Sequence, residues 1–418
     1  ELTANNGTQT DPAGSQFRWS EDGGSTWKTQ TFGGDAVRVP VEYLDTLEFR
    51  AAKDFSGQFK INVQAVTVDT DDDGGITVEA VSGNAELTNV LIKPVADDVT
   101  TAVTARVKGN EDEQMPLSIR PSSSDDSESY KVTIDSIPDG AVIEYGDDEF
   151  SMGASSSGTT SDGSAYTITQ AGDTWSLVID EFDSEIGGSQ MSITPPKDSN
   201  EPFKLGVSTV AVDSLTVGSD TYNSESDPFE LSINVTPKGV ADPADLTVKA
   251  PENQSFVEET VDGNGGVMLS DLLDGTPALI DDDGSETLSF KLKDLPTGFG
   301  VEGATSLGNG EWVFAATDLA NVKITTPTNF SGTSEAFTLA AITTENDGDS
   351  LTDERNVQIR ITPSPEATMS LSTTTDEDVP AKLDFSAQQQ NGETGENISE
   401  VWISKADLDS ATGFSLTY

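Results

Sequence analysis

Carboxylates are the side chains of this sequence that recur in groups, at spacings suited to one kind of chemistry. Glu111-Asp112-Glu113, Glu258-Glu259 and Asp376-Glu377-Asp378 each follow a candidate first strand. Further along come Asp125-Asp126-Ser127-Glu128 and Asp281-Asp282-Asp283-Gly284-Ser285-Glu286. Asp69-Thr70-Asp71-Asp72-Asp73 and Asn346-Asp347-Gly348-Asp349 come later still, and Asp97-Asp98 and Asp242 with Asp245 lie in short linkers. Calcium takes about six to eight oxygens at roughly 2.3–2.6 Å from carboxylates, carbonyls and water. Three acidic loops at one end of a domain, with a linker Asp, could supply that shell without any single long motif. The candidate metal ligands are Asp69, Asp71, Asp73, Asp97, Asp98, Glu111, Asp112, Asp125, Asp126, Glu128, Asp242, Glu258, Asp281, Asp283, Glu286, Asp347, Asp349 and Glu377.

Adjacent like charges in a folded loop repel, and a divalent cation removes that cost. The 281–286 run is not an EF-hand loop, because it lacks both the alternating Asp spacing and a Glu at the twelfth position. Asp-Gly and Asp-Ser runs are also ordinary turn sequence. What favours the metal is their recurrence at matching places in a repeat.

Other chemistries fit less well. The chain has no His and no Cys, so the usual proton shuttle near neutral pH, thiol nucleophiles, disulfides and zinc–thiolate sites are absent from it. Without disulfides, an extracellular version would need another cross-link, and a metal is the obvious one. A glycosidase needs two carboxylates about 5–10 Å apart in a cleft, and these are too many and too clustered. The formal net charge of −52, from 74 acidic against 22 basic residues, repels nucleic acid and anionic lipid. Part of that charge suits a solvated surface in high salt, but solubility alone does not require it to bunch. The sequence therefore implies no enzyme and no nucleic-acid partner.

The elements that must position these acids are strands. Residues 129–135, 174–180, 229–235, 287–293, 311–317 and 356–362 alternate apolar and polar residues, the period of a half-buried antiparallel strand. The 37 Gly and 19 Pro punctuate these runs, and the best helical candidates are short, at 269–273 and 316–320. A half-module recurs: a strand, then Asp54-Phe55-Ser56-Gly57 or Asn329-Phe330-Ser331-Gly332, then a second strand. A weaker copy spans 190–212, where Asn200 stands near the turn and Phe-Ser-Gly is lost. Trp175 and Trp312 fall at one repeat position and read as core, whereas Trp27 and Trp402 have no repeat partner and read as exposed.

Repeat alignment divides the chain into 1–94, the closing part of a module or a small module; 95–238, a full module with a Ser/Gly-rich insertion at 151–165; 239–363, a second full module; and 364–418, the opening of another. Such ends are those of a piece of a longer protein. The fold class is all-β, with tandem antiparallel β-sandwiches. No stretch of about 18 apolar residues predicts membrane insertion.

An ordered set of motifs resembles a known family. Val240-Ala241-Asp242 in the linker, an acidic pair after the first strand, and Asp281 to Glu286 are followed by Leu295-Pro296-Thr297-Gly298. Gly310-Glu311-Trp312, Ala316 to Leu319 and Asn329 to Gly332 complete the series. It is similar to the immunoglobulin-like or cadherin-like extender repeats of giant RTX-type bacterial biofilm adhesins. The match covers nearly all of 239–363, while 95–238 departs at its insertion and its lost Phe-Ser-Gly.

The resemblance implies an elongated array of modules that bind Ca2+ at their junctions. It also implies a secreted, cell-surface location in bacteria and partners that are neighbouring modules of the same chain. The alternatives are a glycan- or protein-binding module, with 146–173 or the Trp27 loop as its contact, and accessory β-domains of a secreted polysaccharide-degrading enzyme.

Overall fold

Alternating sequence makes the strands two-faced, and the buried faces decide which of them stack. The computed structural model describes residues 14–31, 37–75, 77–83, 85–281, 284–389 and 397–402. Its compact units divide between Lys238 and Gly239.

In the first unit, a large sheet runs in the order Ser156–Thr159, Ala165–Ala171, Thr174–Ile179, Ser129–Pro138, Phe203–Val217, Phe229–Lys238, Arg106–Asn110. Its pairings are antiparallel except the last, where Arg106–Asn110 lies parallel to Phe229–Lys238. A second sheet, in the order Met115–Leu117, Met191–Thr194, Val142–Tyr145, Asp148–Ser151, supplies the opposing layer. Strand Thr174–Ile179 shows the reason for the stacking: Trp175, Leu177 and Ile179 are buried while Thr174, Ser176 and Val178 are half-buried. Those three share one buried core with Val132, Ile134, Leu205, Val207, Ile233 and Val235 of the same sheet and Ile143, Tyr145, Phe150 and Ile193 of the other. Each such side chain gains roughly 1.5–3 kcal/mol from leaving water, so this core holds the sandwich without disulfides.

The Ser/Gly-rich insertion is part of that sheet. Ser156–Thr159 and Ala165–Ala171 form an edge hairpin, with Ile168 buried and Tyr166 packed on Phe150 at 4.9 Å between ring centroids. Ahead of the sandwich, Gln16–Trp19 pairs with Lys28–Thr31 and Glu48–Arg50, and Gly57–Val63 pairs with Ala85–Ile92. Phe17, Phe49, Phe55 and Phe59 form a small aromatic cluster there, with centroids 4.8–6.3 Å apart.

The second unit repeats the plan on a smaller scale. A five-stranded sheet runs Thr305–Gly308, Glu311–Ala315, Thr287–Lys293, Phe337–Thr344, Ser350–Val357. Facing it are the sets Phe256–Val257, Arg360–Thr362, Gly332–Thr333 and Val267–Met268, Lys323–Thr325, Gly300–Glu302. Phe290, Leu292, Phe337, Leu339, Ile324 and Ile361 are among its fully buried core. The opening strand again runs parallel to the closing one, Phe256–Val257 beside Arg360–Thr362. Tandem antiparallel β-sandwiches are thus the architecture. The helical candidates at 269–273 and 316–320 are single 3₁₀ turns, Leu269–Leu272 and Ala316–Asn321. Beyond them, Ala367–Ser372 pairs with Asp384–Gln389 as an exposed hairpin.

The repeated turn survives where its sequence does not. Asp54, Asp198 and Asn329 all adopt φ of 55 to 60°, the left-handed region that Asp and Asn tolerate better than most residues. In each copy the next amide donates back three residues, Phe55 to Ala52, Ser199 to Pro196 and Phe330 to Pro327, at 3.1–3.3 Å. The turn residue of the weak copy is therefore Asp198, two positions before Asn200. The left-handed Asx residue is what the three copies share; the acceptor three residues before the donor is Pro196 or Pro327 in two of them and Ala52 in the other.

Candidate functional site

Register brings the acids together at one end of each sandwich. Ser129 pairs with Val212, which places Glu128 beside Asp213 at the mouth of the large sheet. Thr287 pairs with Thr344, which places Glu286 beside Glu345 at the same point of the second sandwich. All four residues are buried, at 3–9% exposure. Asp125 and Asp281, also buried, complete the two sets. Asp281 and Glu345 bring carboxylate oxygens within 4.8 Å of each other.

The linker docks onto these acids through its backbone. Ahead of the first sandwich, the Val95 amide donates to Asp213 at 3.2 Å and the Asp97 amide to Glu128. Ahead of the second, Gly239 donates to Asp347 (3.1 Å), Ala241 to Asp349 (3.2 Å) and Asp242 to Glu286 (2.7 Å). The Asp242 carbonyl in turn accepts from the Thr343 hydroxyl at 2.6 Å. In each Val-Ala-Asp signature two amides thus donate to carboxylates, those of Val95 and Asp97 in the first and of Ala241 and Asp242 in the second.

These amides do not saturate the acids. Glu128 and Glu286 each keep one buried carboxylate oxygen without a hydrogen-bond partner, an arrangement that costs on the order of 1–3 kcal/mol or more per charged group unless something else binds it. Burial pushes the Glu286 carboxyl up, the Glu345 and Asp281 charges push it further, and the Asp242 amide opposes them. Burial likewise raises Asp213, aided by the Asp125 charge and opposed by the Val95 amide. Several buried oxygens, some unsatisfied and mutually repelling, are the donor set a hard divalent cation takes. These residues fit calcium.

A second acidic group lies at the far end of each sandwich. Glu111 follows Arg106–Asn110, and its amide donates to the Lys238 carbonyl at 2.9 Å. Glu258 follows Phe256–Val257 and opens the short helix Glu258–Asn264. One of its oxygens accepts from the Ser364 amide at 3.2 Å, while the other is buried without a partner. Asp112 accepts from the Asp198 turn amide at 2.9 Å, as Asp262 does from the Asn329 amide at 3.0 Å. Asp112 and Asp198 bring carboxylate oxygens within 4.8 Å of each other.

The remaining sequence candidates lie elsewhere. Asp98 and Asp126 neighbour the first cluster in sequence but are exposed. Asp69, Asp71 and Asp73 are exposed in and beside a hairpin tip, where Asp71 caps the Gly75 amide at 2.7 Å. Glu377 is in an exposed turn, and Asp283 lies outside the described residues. Asp213, Glu345 and Asp198 were not candidates. The signal for the first two was an alternating strand running directly into an acid, opposite the Glu that begins its neighbour.

Trp175 is buried, and its Nε1 donates to Asp139 at 2.7 Å; Trp312 packs half-buried against the second core. Trp27 is partly exposed beneath the Arg18 guanidinium at 4.4 Å. The hairpin before it is fixed by Asp22, whose carboxyl is held at about 2 by the Thr26 amide and hydroxyl and the Ser20 hydroxyl.

No family model and no curated protein sequence matches the chain. Among solved structures, it is similar to PcdhgB3 EC1-4 at 10% identity and a TM-score of 0.30, over 87% of this chain and 67% of that one. It is similar to a 1.5-MDa bacterial ice-binding adhesin at 13% identity and a TM-score of 0.20, over 85% and 89%. A third is a Ca2+-stabilized adhesin that helps an Antarctic bacterium bind ice, at 14% identity and a TM-score of 0.19, over 89% and 71%. Superpositions this loose add no weight to the strand order and the carboxylate geometry. Among the described residues no helix is long and apolar enough to cross a membrane.

Proposed function

We propose that this chain is a non-catalytic extender segment of a secreted bacterial surface adhesin, of the RTX biofilm type. Ca2+ held at the acidic ends of its sandwiches stiffens the short linkers between modules. The modules are 95–238 and 239–363, flanked by parts of others at 1–94 and 364–418. The observation that carries the proposal is the set Asp281, Glu286 and Glu345: all buried, with Asp281 and Glu345 oxygens within 4.8 Å of each other, both charges acting on Glu286, and a Glu286 oxygen that no hydrogen bond satisfies.

In the first unit, Asp97, Asp125, Glu128 and Asp213 would hold the ion; in the second, Asp242, Asp281, Glu286 and Glu345 would. Asp347 and Asp349 orient the second linker. Bound calcium supplies positive charge to carboxylates that otherwise repel. The chain's own residues fix the linker by its amides and bury the donors away from water.

Small-angle scattering of the 418-residue chain, with calcium and with a chelator, tests the stiffening. A more flexible scattering profile in chelator is expected. Profiles that superimpose in the two conditions overturn it.

A further inference from the structure

The two linkers are held by different means. Beyond the Ser129↔Val212 pair, the strand Phe203–Val217 continues as a free arm paired only with Asp220–Glu225, out to Val217↔Asp220. That arm lies along the linker ahead of the first sandwich. The Lys93 ammonium sits 5.4 Å from the Tyr222 ring centroid, and the Ala96 amide donates to the Ser224 hydroxyl at 3.1 Å. Lys131 ties the arm back to the sandwich through Glu225 at 2.7 Å. Lys53, beside the turn residue Asp54, brings its ammonium to 3.9 Å from Asp97, a positive charge facing the acids that would take a cation.

Among the described residues, the second sandwich has no such arm. Its equivalent hairpin turns over at once, with Thr344 opposite Ser350, and meets the linker with Asp347 and Asp349. The charges that act on Glu286 are those of Glu345, Asp281 and Asp242, all negative.

We propose that the 213–225 arm and Lys53 keep linker 93–98 docked without a cation, whereas linker 239–242 needs one. The second clause rests on the calcium reading above; the first does not. A cation–π contact and neutral hydrogen bonds to an arm survive chelation, while the Gly239, Ala241 and Asp242 amides donate to carboxylates that repel one another once the cation is gone.

Hydrogen exchange in the intact chain, resolved to single amides, tests this with calcium or chelator as the only variable. Chelation is expected to speed exchange at Gly239, Ala241 and Asp242 by about tenfold or more, and at Val95 to Asp97 by less than about threefold. A Tyr222→Ala, Lys53→Gln variant is expected to exchange about tenfold faster at Val95 to Asp97 in chelator. Equal acceleration of both linkers in the unmodified chain overturns the proposal, and so does a variant whose first linker is unchanged. A second linker indifferent to chelator overturns the calcium reading, and the variant in chelator still decides the role of the arm.

Discussion

At Glu286, burial and neighbouring negative charge act on one carboxyl in the same direction. The folded protein therefore holds its proton more tightly than the unfolded chain, where a glutamate titrates near 4.5. By linkage, the penalty is fully present above the raised value, shrinks as pH falls through it, and is gone below the ordinary value. Asp213 behaves the same way above its ordinary 3.8. Asp22, held at about 2, acts with the opposite sign, but only once the pH falls below 3.8. In chelator, the melting temperature is accordingly expected to rise as pH is lowered through the raised Glu286 value toward its ordinary 4.5. With calcium the slope reverses, because protons compete for the same oxygens. Melting curves across that range check both signs. Glu286→Gln should raise cation-free stability, since it removes a buried charge that Glu345 and Asp281 repel, and abolish the calcium response of its own end.

Turns and hairpins decide where the acids go. The left-handed turn residue is a direct test: Asn329→Ala should cost about 1–2 kcal/mol and Asn329→Gly much less, read from denaturant midpoints. The same pair of outcomes at Asp198 would show that this copy, without Phe-Ser-Gly, keeps the same element. Much of this was legible in the sequence, because strands such as 174–179 alternate strictly and Glu128 and Glu286 stand just before alternating runs.

Asp213 and Glu345 were not legible, because their place depends on which strand lies opposite. Register is fixed by the core and not by local sequence. The turn residue of the weak repeat, Asp198, was not singled out in the sequence for a related reason. Phe-Ser-Gly is the conspicuous part of the motif, while the left-handed Asx residue ahead of it sets the chain direction. The Ser/Gly content of the insertion did not show that it forms a strand at the sheet edge, followed by a strand whose Ile168 and Tyr166 pack on the core.

For the whole molecule, a net charge of −52 weighs against compaction, and monovalent salt should relieve the exposed part of it. The buried carboxylates are screened far less, so a specific divalent effect should persist in about 1 M salt, where the Debye length is only about 3 Å. The core and the linker amides explain how the modules fold; the unsatisfied buried oxygens explain why a cation is expected. Calorimetric titration of the 418-residue chain with calcium tests that claim most directly. The prediction is saturable binding with a dissociation constant on the order of 10⁻⁴ M or tighter, weakened at least tenfold by Glu286→Gln at its site. Absence of binding up to millimolar calcium, or a titration unchanged by that substitution, would contradict it.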